Sequence, residues 1–298
     1  MATKTVELVR TAAFVLEKKY GMTYEEFAEK HLFANYPVVI GDACDGWAAK
    51  NKFTPEFFKA AYGDREVTVE GQLFKLGDYL DLMAVSTESN PAPYPCKLQI
   101  DKDYPELLPD VTPRFQYALP DRCHSKLMPE GLLGGAETLE IFFGSPGGQF
   151  PYVHYDYMCL HAYITQLYGI KEFTVIPPSQ TPYVYPKAGS AWMSEVPDIK
   201  NVDLAKFPLF AQATPVSFTV GPGDTLFIPC GWWHTARSVT STISVALDCL
   251  NSSNWQNFQR EVAVSLSKGR PLKAKAAQAY LSVLGTVLNA SESMGVKL

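Results

Sequence analysis

Two of the five histidines in this 298-residue chain, together with one aspartate, could bind a single metal ion. His154 and Asp156 stand two residues apart in Val-His-Tyr-Asp-Tyr, and on a β-strand such residues point to the same face. His234 comes later, shortly after a predicted strand over 225–228. Two imidazoles and one carboxylate on one side of a metal leave three positions open, which is the ligand set of non-haem Fe(II) oxygenases. The pattern therefore predicts an Fe(II) site held by His154, Asp156 and His234.

The context of these residues is more specific than the His-x-Asp pair, which is a common pattern by itself. A single late histidine is most often a core or turn residue. Here Gly223-Asp224 predicts a turn, the apolar run that follows predicts a strand, and Pro229 predicts its end. This arrangement would bring His234 to the mouth of a barrel.

Past Gly135 the sequence consists of short β-branched or aromatic runs separated by glycine and proline, which is typical of a sandwich or jelly roll. The predicted strands are Thr138–Phe143, Cys159–Leu167, Lys171–Ile176, Val216–Val220, Thr225–Ile228 and Thr242–Leu247. Between residues 177 and 215 lies a long proline-rich interruption that contains Tyr183, Tyr185 and Trp192. A loop of that length usually serves as a lid or a binding loop.

Helix and strand patterns alternate in the first part of the sequence. Thr23 and Glu26 form a capping box, and Thr54 followed by Pro55 is a second helix start. The predicted elements are a helix over 4–19, a helix from Thr23, a strand over 36–40, a helix from Thr54, a strand over 65–70 and a helix over 77–85. From Asn251 the pattern is polar and then helical to about residue 290.

Composition and charge argue against several kinds of partner. The net charge is −5, so we expect no nucleic-acid binding. No apolar run approaches the length of a membrane span and the first residues do not resemble a signal peptide, so we expect no membrane association. Six cysteines without a CxxC pair indicate free thiols in a reducing compartment. The expected location is cytoplasmic, with a nuclear one also possible in a eukaryote.

Two segments, Pro151–Pro178 and Gly221–Asp248, resemble the metal-binding segments of the JmjC or cupin-like 2-oxoglutarate oxygenases, and in particular the HIF asparaginyl hydroxylase group. In that group His-Tyr-Asp is followed by Gln, Gly, Lys and Pro-Pro; the matching positions here are Gln166, Gly169, Lys171, Pro177 and Pro178. The group also has Gly-Pro-Gly-Asp and Trp-Trp-His, found here at 221–224 and 232–234. The likeness extends more diffusely over about residues 25–250.

The resemblance implies a 2-oxoglutarate pocket around Lys171, whose ammonium would pair with the distal carboxylate; a solvent-facing lysine after a hairpin turn is the alternative. His161 and Tyr163 share a strand face that could line this pocket, although His161 could equally be a hydrogen-bonded core histidine. The family's tyrosine on an upstream strand falls near Lys97 or Gln99, so Gln99 is also placed in the pocket.

The sequence departs from the family pattern at two positions of that pocket. Pro151 stands where the family often has a threonine that bonds the co-substrate. The family's late asparagine has no obvious counterpart, and Ser244, Ala246 or Asp248 could occupy its region. The pocket must therefore be completed partly by other groups.

Side chains beside the ligands are candidates for a substrate groove, namely Tyr152, Tyr155, Trp232 and Arg237. Because neighbours on a strand point in opposite directions, at least one of each adjacent pair of aromatic residues should pack away from the site. Arg237 would meet an acidic group or lie at the rim.

The expected fold is mixed α+β, mainly β, with a double-stranded β-helix (jelly roll, cupin-like) core, N-terminal helices and strands, and a C-terminal helical segment. One oxygenase domain is expected over 1–250, with an N-terminal part over about 1–134 and the jelly roll over about 135–250. Residues 251–298 would be a helical extension that packs on the core or, as in part of the family, forms a homodimer interface.

The activity implied by the resemblance is that of an Fe(II)- and 2-oxoglutarate-dependent dioxygenase. It would use O₂ to hydroxylate a C–H bond in an amino-acid side group of a protein or peptide, with 2-oxoglutarate converted to succinate. The alternatives are N-methyl demethylation by the same chemistry, hydroxylation of a small molecule, and a non-catalytic jelly-roll binding module. A metal cupin that works without 2-oxoglutarate is a further reading, and it would not need Lys171.

Overall fold

Fourteen strands are present in the computed structural model, which describes residues 16–129, 131–133, 138–267 and 269–296. The strands are β1 (Lys18–Lys19), β2 (Val38–Ile40), β3 (Glu66–Val69), β4 (Gln72–Lys75), β5 (Cys96–Gln99), β6 (Leu139–Gly144), β7 (His161–Tyr168), β8 (Lys171–Ile176), β9 (Pro186–Lys187), β10 (Ser190–Ser194), β11 (Val216–Val220), β12 (Thr225–Ile228), β13 (Trp233–Ser238) and β14 (Thr242–Cys249).

Two of the sheets face each other and enclose the interior of the jelly roll. The larger has seven strands in the order β1-β2-β12-β7-β14-β6-β5, and the smaller has the order β11-β8-β13. Except for the parallel pair β1-β2, neighbouring strands in these two sheets are antiparallel. The hairpins β3-β4 and β9-β10 form separate two-stranded sheets. The predicted class, mixed α+β and mainly β, is confirmed.

Helices lie before and after the strand-rich part of the protein. They are α1 (Tyr24–Phe27), α2 (Ala49–Lys52), α3 (Pro55–Tyr62), α4 (Leu76–Val85), α5 (Ile100–Asp103), α6 (Trp255–Ser267) and α7 (Pro271–Ser293). Thr23 and Thr54 accept hydrogen bonds from Glu26 N at 3.1 Å and Phe57 N at 3.2 Å, so both predicted N-caps are confirmed. No helix in the described ranges has the length and apolarity needed to cross a membrane.

Side-chain alternation along the larger sheet separates its two faces. On β14, Ile243, Val245 and Leu247 point outward and join the apolar core beneath the N-terminal helices. Ala246 and Asp248 point the other way and line a cavity between the two sheets. Strands β6 and β7 alternate in the same manner, so the period of two residues decides which side chains reach the cavity.

Three differences from the sequence predictions concern local structure. Residues 4–15 of the predicted first helix lie outside the described residues, and its last part is wrong because Lys18–Lys19 pairs with β2 as a strand. Strand β13, which carries His234, is absent from the predicted strands, since Pro229 was interpreted as the end of one strand and no other was predicted before Thr242. The predicted loop over 177–215 contains the hairpin β9-β10 and two 3-10 helices, Pro178–Val184 and Pro208–Gln212.

Candidate active site

Three potential metal ligands converge between the two sheets, as their spacing predicts. One ligand atom each from His154, Asp156 and His234 lies within 4.8 Å of the other two. His234 Nε2 is 3.8 Å from Asp156 Oδ1, and the two imidazole centroids are 4.4 Å apart. A single ion can therefore contact all three side chains.

The backbone holds two of these ligands side by side. His154 N donates to His234 O at 3.0 Å, and His234 N donates to His154 O at 2.6 Å. His154 also forms a bridge with Met193 of β10, which ties the metal-bearing segment to the 177–215 region. The ligand spacing is thus built into the strand pairing.

Hydrogen bonding and burial prepare the imidazoles for a metal. His234 Nδ1 lies 3.0 Å from Trp232 O, and because a carbonyl can only accept, this nitrogen carries the proton and leaves Nε2 free to ligate. Burial, and then the neighbouring His234, hold the pKa of His154 well below its usual range, so its ring is neutral. His154 Nδ1 has no hydrogen-bond partner among the described residues.

The chemistry of the three donors fits a divalent iron. Burial raises the pKa of Asp156, because its carboxylate has left water without gaining a full cationic partner. A divalent cation would supply that partner. Two neutral nitrogens, one carboxylate oxygen and open positions on the cavity side form the set that non-haem Fe(II) centres use.

Lys171 is the second charged feature of this region. Its side chain is 2% exposed on β8, and its Nζ lies 2.8 Å from Ser244 Oγ and 3.4 Å from the Tyr94 hydroxyl. Ser244 in turn donates to Gln166 Oε1 at 2.8 Å. No carboxylate in the described part of the protein lies within ion-pair distance of Lys171, and burial lowers its pKa to about 7. A buried ammonium with only neutral partners is costly unless an anion joins it.

One cavity of about 470 Å³ connects the metal ligands with Lys171. Phe142, Phe150 and Phe173 give it apolar walls, and Trp192 from β10 contributes from the 177–215 segment. Two further carboxylates, Glu140 and Asp248, also line it. Burial and then the nearby carboxylates raise the pKa of Asp248 well above its usual range. A dicarboxylate and part of a substrate can therefore share this space.

Two residues predicted for the co-substrate pocket lie on the other side of the larger sheet. The cavity is lined by Ala162 and Ile164 of β7, so His161 and Tyr163 point the opposite way. His161 Nδ1 accepts from Cys230 N at 3.0 Å and its Nε2 lies 2.8 Å from Ser253 Oγ. Tyr163 donates to Tyr117 O at 2.5 Å within the apolar core. The pocket prediction is wrong for both residues, because sequence does not show which parity of a strand faces inward. The alternative for His161, a hydrogen-bonded core histidine, is confirmed.

Gln99 does not line the cavity either, although Glu140, its cross-strand neighbour, does. The tyrosine beside Lys171 is Tyr94, which precedes strand β5. The family resemblance places the tyrosine on the strand itself, near Lys97 or Gln99, and so does not point to Tyr94. The segment Tyr94-Pro95 ahead of the strand was the available signal.

Of the four predicted groove residues, one lines the cavity. Tyr152 does so, with its ring centroid 5.3 Å from that of His154. The other three do not line it, and for Arg237 the alternative of meeting an acidic group is confirmed. Tyr155 and Arg237 have the outward parity of their segments, so Tyr155 donates to Glu261 Oε1 at 2.9 Å and Arg237 pairs with Glu88. Trp232 lies just before β13 and its Nε1 donates to Asn35 O at 2.8 Å, which holds the ring outside the cavity.

Comparison with known proteins identifies a family and several relatives of this chain. Residues 24–255 match the family described as a cupin-like domain. Lysine-specific demethylase 8 of Xenopus tropicalis is 28% identical over 247 residues, covering 78% of this protein and 52% of the relative. Lysine-specific demethylase JMJ30 of Arabidopsis thaliana is 26% identical over 247 residues, covering 78% and 54%.

A third relative combines two activities in its name. The bifunctional arginine demethylase and lysyl-hydroxylase psr-1 of Caenorhabditis elegans is 24% identical over 282 residues, covering 85% of this protein and 64% of the relative. The sequence spans about half the length of the lysine-specific demethylases it matches.

Proposed function

Because the chain belongs to the cupin-like domain family, we propose that it is an Fe(II)- and 2-oxoglutarate-dependent dioxygenase. Its reaction is the hydroxylation of a C–H bond in an amino-acid side chain of a protein or peptide. The observation that carries the proposal is the single cavity that joins the metal triad to Lys171. An open metal position suits the keto-acid end of 2-oxoglutarate, and a buried cation suits its distal carboxylate. A metal cupin without this co-substrate would have no use for the cation.

Each part of the cavity has a defined task in this reaction. Fe(II) with 2-oxoglutarate would supply oxidation of a C–H bond by O₂, giving the alcohol, succinate and CO₂. His154, Asp156 and His234 would hold the metal from one side and leave the cavity side open. Lys171 would bind the distal carboxylate, with Ser244 orienting its ammonium. The phenylalanines of the walls would keep water away from the reacting carbon.

The protein nature of the substrate is supported by the relatives, whose names describe demethylation or hydroxylation of lysine and arginine. The same chemistry on an N-methyl group would release formaldehyde, so demethylation is a second candidate. The two candidates separate by product, because hydroxylation leaves a stable gain of one oxygen on the peptide. The predicted cytoplasmic or nuclear location stays a prediction.

A homodimer through the C-terminal helices is also proposed. Along and just after α7, apolar side chains including Leu272, Val283 and Met294 are exposed, at 81%, 66% and 70%. Apolar stripes of this kind are favourable when two helices pack together. Sedimentation of wild-type protein and of Val283→Lys tests this, since a monomeric wild-type protein at micromolar concentration would exclude the dimer.

The central test measures succinate formation by protein loaded with Fe(II), 2-oxoglutarate and O₂, together with mass spectrometry of candidate peptides. We expect succinate that depends on both the metal and 2-oxoglutarate, and its loss in His154→Ala. If the metal-loaded protein binds no 2-oxoglutarate and His154→Ala changes nothing, the proposal fails and a non-catalytic binding module becomes the better reading.

A further inference from the structure

Gln166 lies at the centre of a buried hydrogen-bond network that ends on Lys171. It is directly opposite Ser244 in the pairing of β7 with β14, and both side chains are fully buried. On β7 it has the same parity as Ala162 and Ile164, which line the cavity. Gln166 and Ser244 lie behind the described residues that form the cavity wall. Gln166 can therefore act on a bound ligand only through its neighbours.

The backbone decides which end of the Gln166 amide faces which partner. One end lies 2.6 Å from Tyr168 O and 3.2 Å from Gly169 O. Because a carbonyl oxygen only accepts hydrogen bonds, this end must be the NH₂ group. The amide oxygen then faces Ser244 Oγ at 2.8 Å and must accept the proton of that hydroxyl. The direction of the network is set by the two backbone carbonyls.

The turn that supplies these carbonyls is closely packed. Gly169 has a φ of +71°, and a Cβ at this position would lie 1.8 Å from Ser241 O. The Gln166 backbone is held as well, because its N donates to Asp224 O and its O accepts from Gly223 N, each at 2.8 Å. The Gln-x-x-Gly-x-Lys segment and the Gly-Pro-Gly-Asp turn thus meet at Gln166, which gives its amide oxygen a fixed direction.

This direction continues through Ser244 to Lys171. With its own proton donated to Gln166, the Ser244 hydroxyl can only accept from Lys171 Nζ, which lies 2.8 Å away. The Tyr94 hydroxyl, 3.4 Å from Nζ, is a second acceptor. An ammonium has three N–H groups, so one is left for an anion in the cavity.

We propose that Gln166 is a positioning residue for the 2-oxoglutarate site, which fixes the direction of the Ser244 hydroxyl and so holds Lys171 as a hydrogen-bond donor toward the cavity. The inference rests on the proposed function, because it assigns a role within the same site. Without Gln166, the hydroxyl is free to rotate and donate to a neutral Lys171 amine. That contact favours the form of lysine that cannot pair with a carboxylate.

A double-mutant cycle tests this route. 2-Oxoglutarate is titrated calorimetrically into Mn(II)-saturated wild-type protein, Gln166→Met, Ser244→Ala and the double variant. We expect each single variant to weaken binding by about five- to tenfold, the typical effect of losing one hydrogen bond. The double variant should bind no more weakly than Ser244→Ala alone, because Gln166 then has no hydroxyl to orient.

The pH profile of binding gives a second readout, which a loss of packing alone would not change. Burial lowers the pKa of Lys171 to about 7, and among the described residues no charged side chain forms an ion pair with it. Its register partners Val220 and Ser238 do not titrate, and Tyr94 is the titratable group within hydrogen-bond distance. Gln166→Met favours the neutral amine, so the affinity should begin to fall at a lower pH than in the wild-type protein.

Thr165→Val is the matched control. Thr165 is the neighbour of Gln166 on β7 and is equally buried, and its Oγ1 lies 2.9 Å from Thr225 Oγ1 on the opposite face of the strand. This hydrogen bond leads away from Lys171. The change should lower the free energy of unfolding in urea and leave 2-oxoglutarate binding as it is in the wild-type protein.

Two kinds of failure are distinguishable. Loss of Mn(II)-dependent 2-oxoglutarate binding in the wild-type protein would overturn the proposed function itself. With that binding intact, the positioning role is wrong if either single variant binds as the wild-type protein does, if their effects add, or if the pH profile of Gln166→Met is unchanged. Because wild-type affinity in Ser244→Ala is enough to overturn the role, the test does not depend on the folding of Gln166→Met.

Discussion

In the two metal-bearing segments, side chains that point into the cavity alternate with side chains that point away from it. The inward ones can bind the metal, and the outward ones pack the fold. Inward, His154, Asp156 and His234 meet at ligand distance. Outward, Tyr155 and Trp233 pack against each other with ring centroids 5.1 Å apart. A shift of one residue in register would exchange the two sets, so strand parity, more than residue type, separates reactive from supporting side chains.

The two sides also differ in how well their polar atoms are satisfied. Trp233 Nε1 donates to Thr181 Oγ1 at 2.9 Å, and the Tyr155 hydroxyl is bonded to Glu261. Inward, His154 Nδ1 has no hydrogen-bond partner among the described residues, and the Lys171 ammonium has only neutral ones. Unpaired buried polar groups destabilise a fold, so the inward side is organised for ligands.

The largest expected effect comes from exchanging one residue on each side. His234→Ala should weaken Mn(II) binding by more than about 100-fold, because even the partners of metal ligands typically contribute 10- to 100-fold. Trp233→Phe keeps the ligands in place and should leave the affinity nearly unchanged while lowering the free energy of unfolding. Calorimetric titration with Mn(II), with urea unfolding in parallel, measures both quantities.

The opposite pattern, with metal binding lost in Trp233→Phe and kept in His234→Ala, would show that the division between the two sides is wrong. Equal losses in both variants would mean that the outward packing sets the ligand geometry.

Lys171→Met gives the next largest effect. It tests whether polar groups on the inward side lack the partners that those on the outward side have. Loss of the ammonium should weaken 2-oxoglutarate binding by about 30-fold or more, with Mn(II) affinity kept. Without ligands, the same variant should be more stable than the wild-type protein, because a buried charge without an anion is removed. Lys126→Met, at an exposed position, is the matched control. A ligand-free Lys171→Met protein that is less stable would show that the ammonium already has a compensating partner.

Much of this site can be predicted from the sequence, because several of its residues are close together along the chain. His154 and Asp156 are two residues apart, so any strand that brings one to the cavity brings the other. Lys171 was found through a family resemblance and the cost of burying a cation. The rhythm of glycine, proline and β-branched runs was enough to predict a mainly β core.

The remainder depends on contacts between distant segments, which sequence does not show. His161 and Tyr163 have the spacing of pocket residues, and only the pairing of β7 with β12 and β14 turns them outward. Tyr94 reaches Lys171 from a segment 77 positions earlier in the sequence. Trp192 reaches the cavity only because β10 bridges to His154.

The pH dependence of 2-oxoglutarate binding is the third prediction. Burial lowers the pKa of Lys171 to about 7. Above that pH, and until an anion binds, the side chain is therefore largely a neutral amine. Binding must then take up a proton, so affinity should fall as pH rises above about 7, by at most about tenfold per pH unit. For stability without ligand the sign is opposite. A lysine in the unfolded chain keeps its proton up to about pH 10.4. The free energy of unfolding should therefore increase as the pH rises from about 7 towards about 10.4.

Titrations with 2-oxoglutarate at several pH values, on protein saturated with Mn(II), measure this dependence. Lys171→Met supplies the control, because it has no group to protonate and should show a flat profile. A flat wild-type profile would mean that Lys171 stays charged in the empty cavity.

The smallest expected effect tests how far the outward side supports the inward one. Tyr155→Phe removes the hydrogen bond to Glu261 on α6 and keeps the ring against Trp233. It should lower the free energy of unfolding by about 1 kcal/mol, with little change in Mn(II) affinity, because the backbone pairing of His154 with His234 is retained. Glu261→Gln, which keeps an acceptor for the hydroxyl, should lose less stability. If Tyr155→Phe weakened metal binding as strongly as it weakened the fold, helix α6 would be part of the metal site, and the two sides of the strand could not be treated as separate.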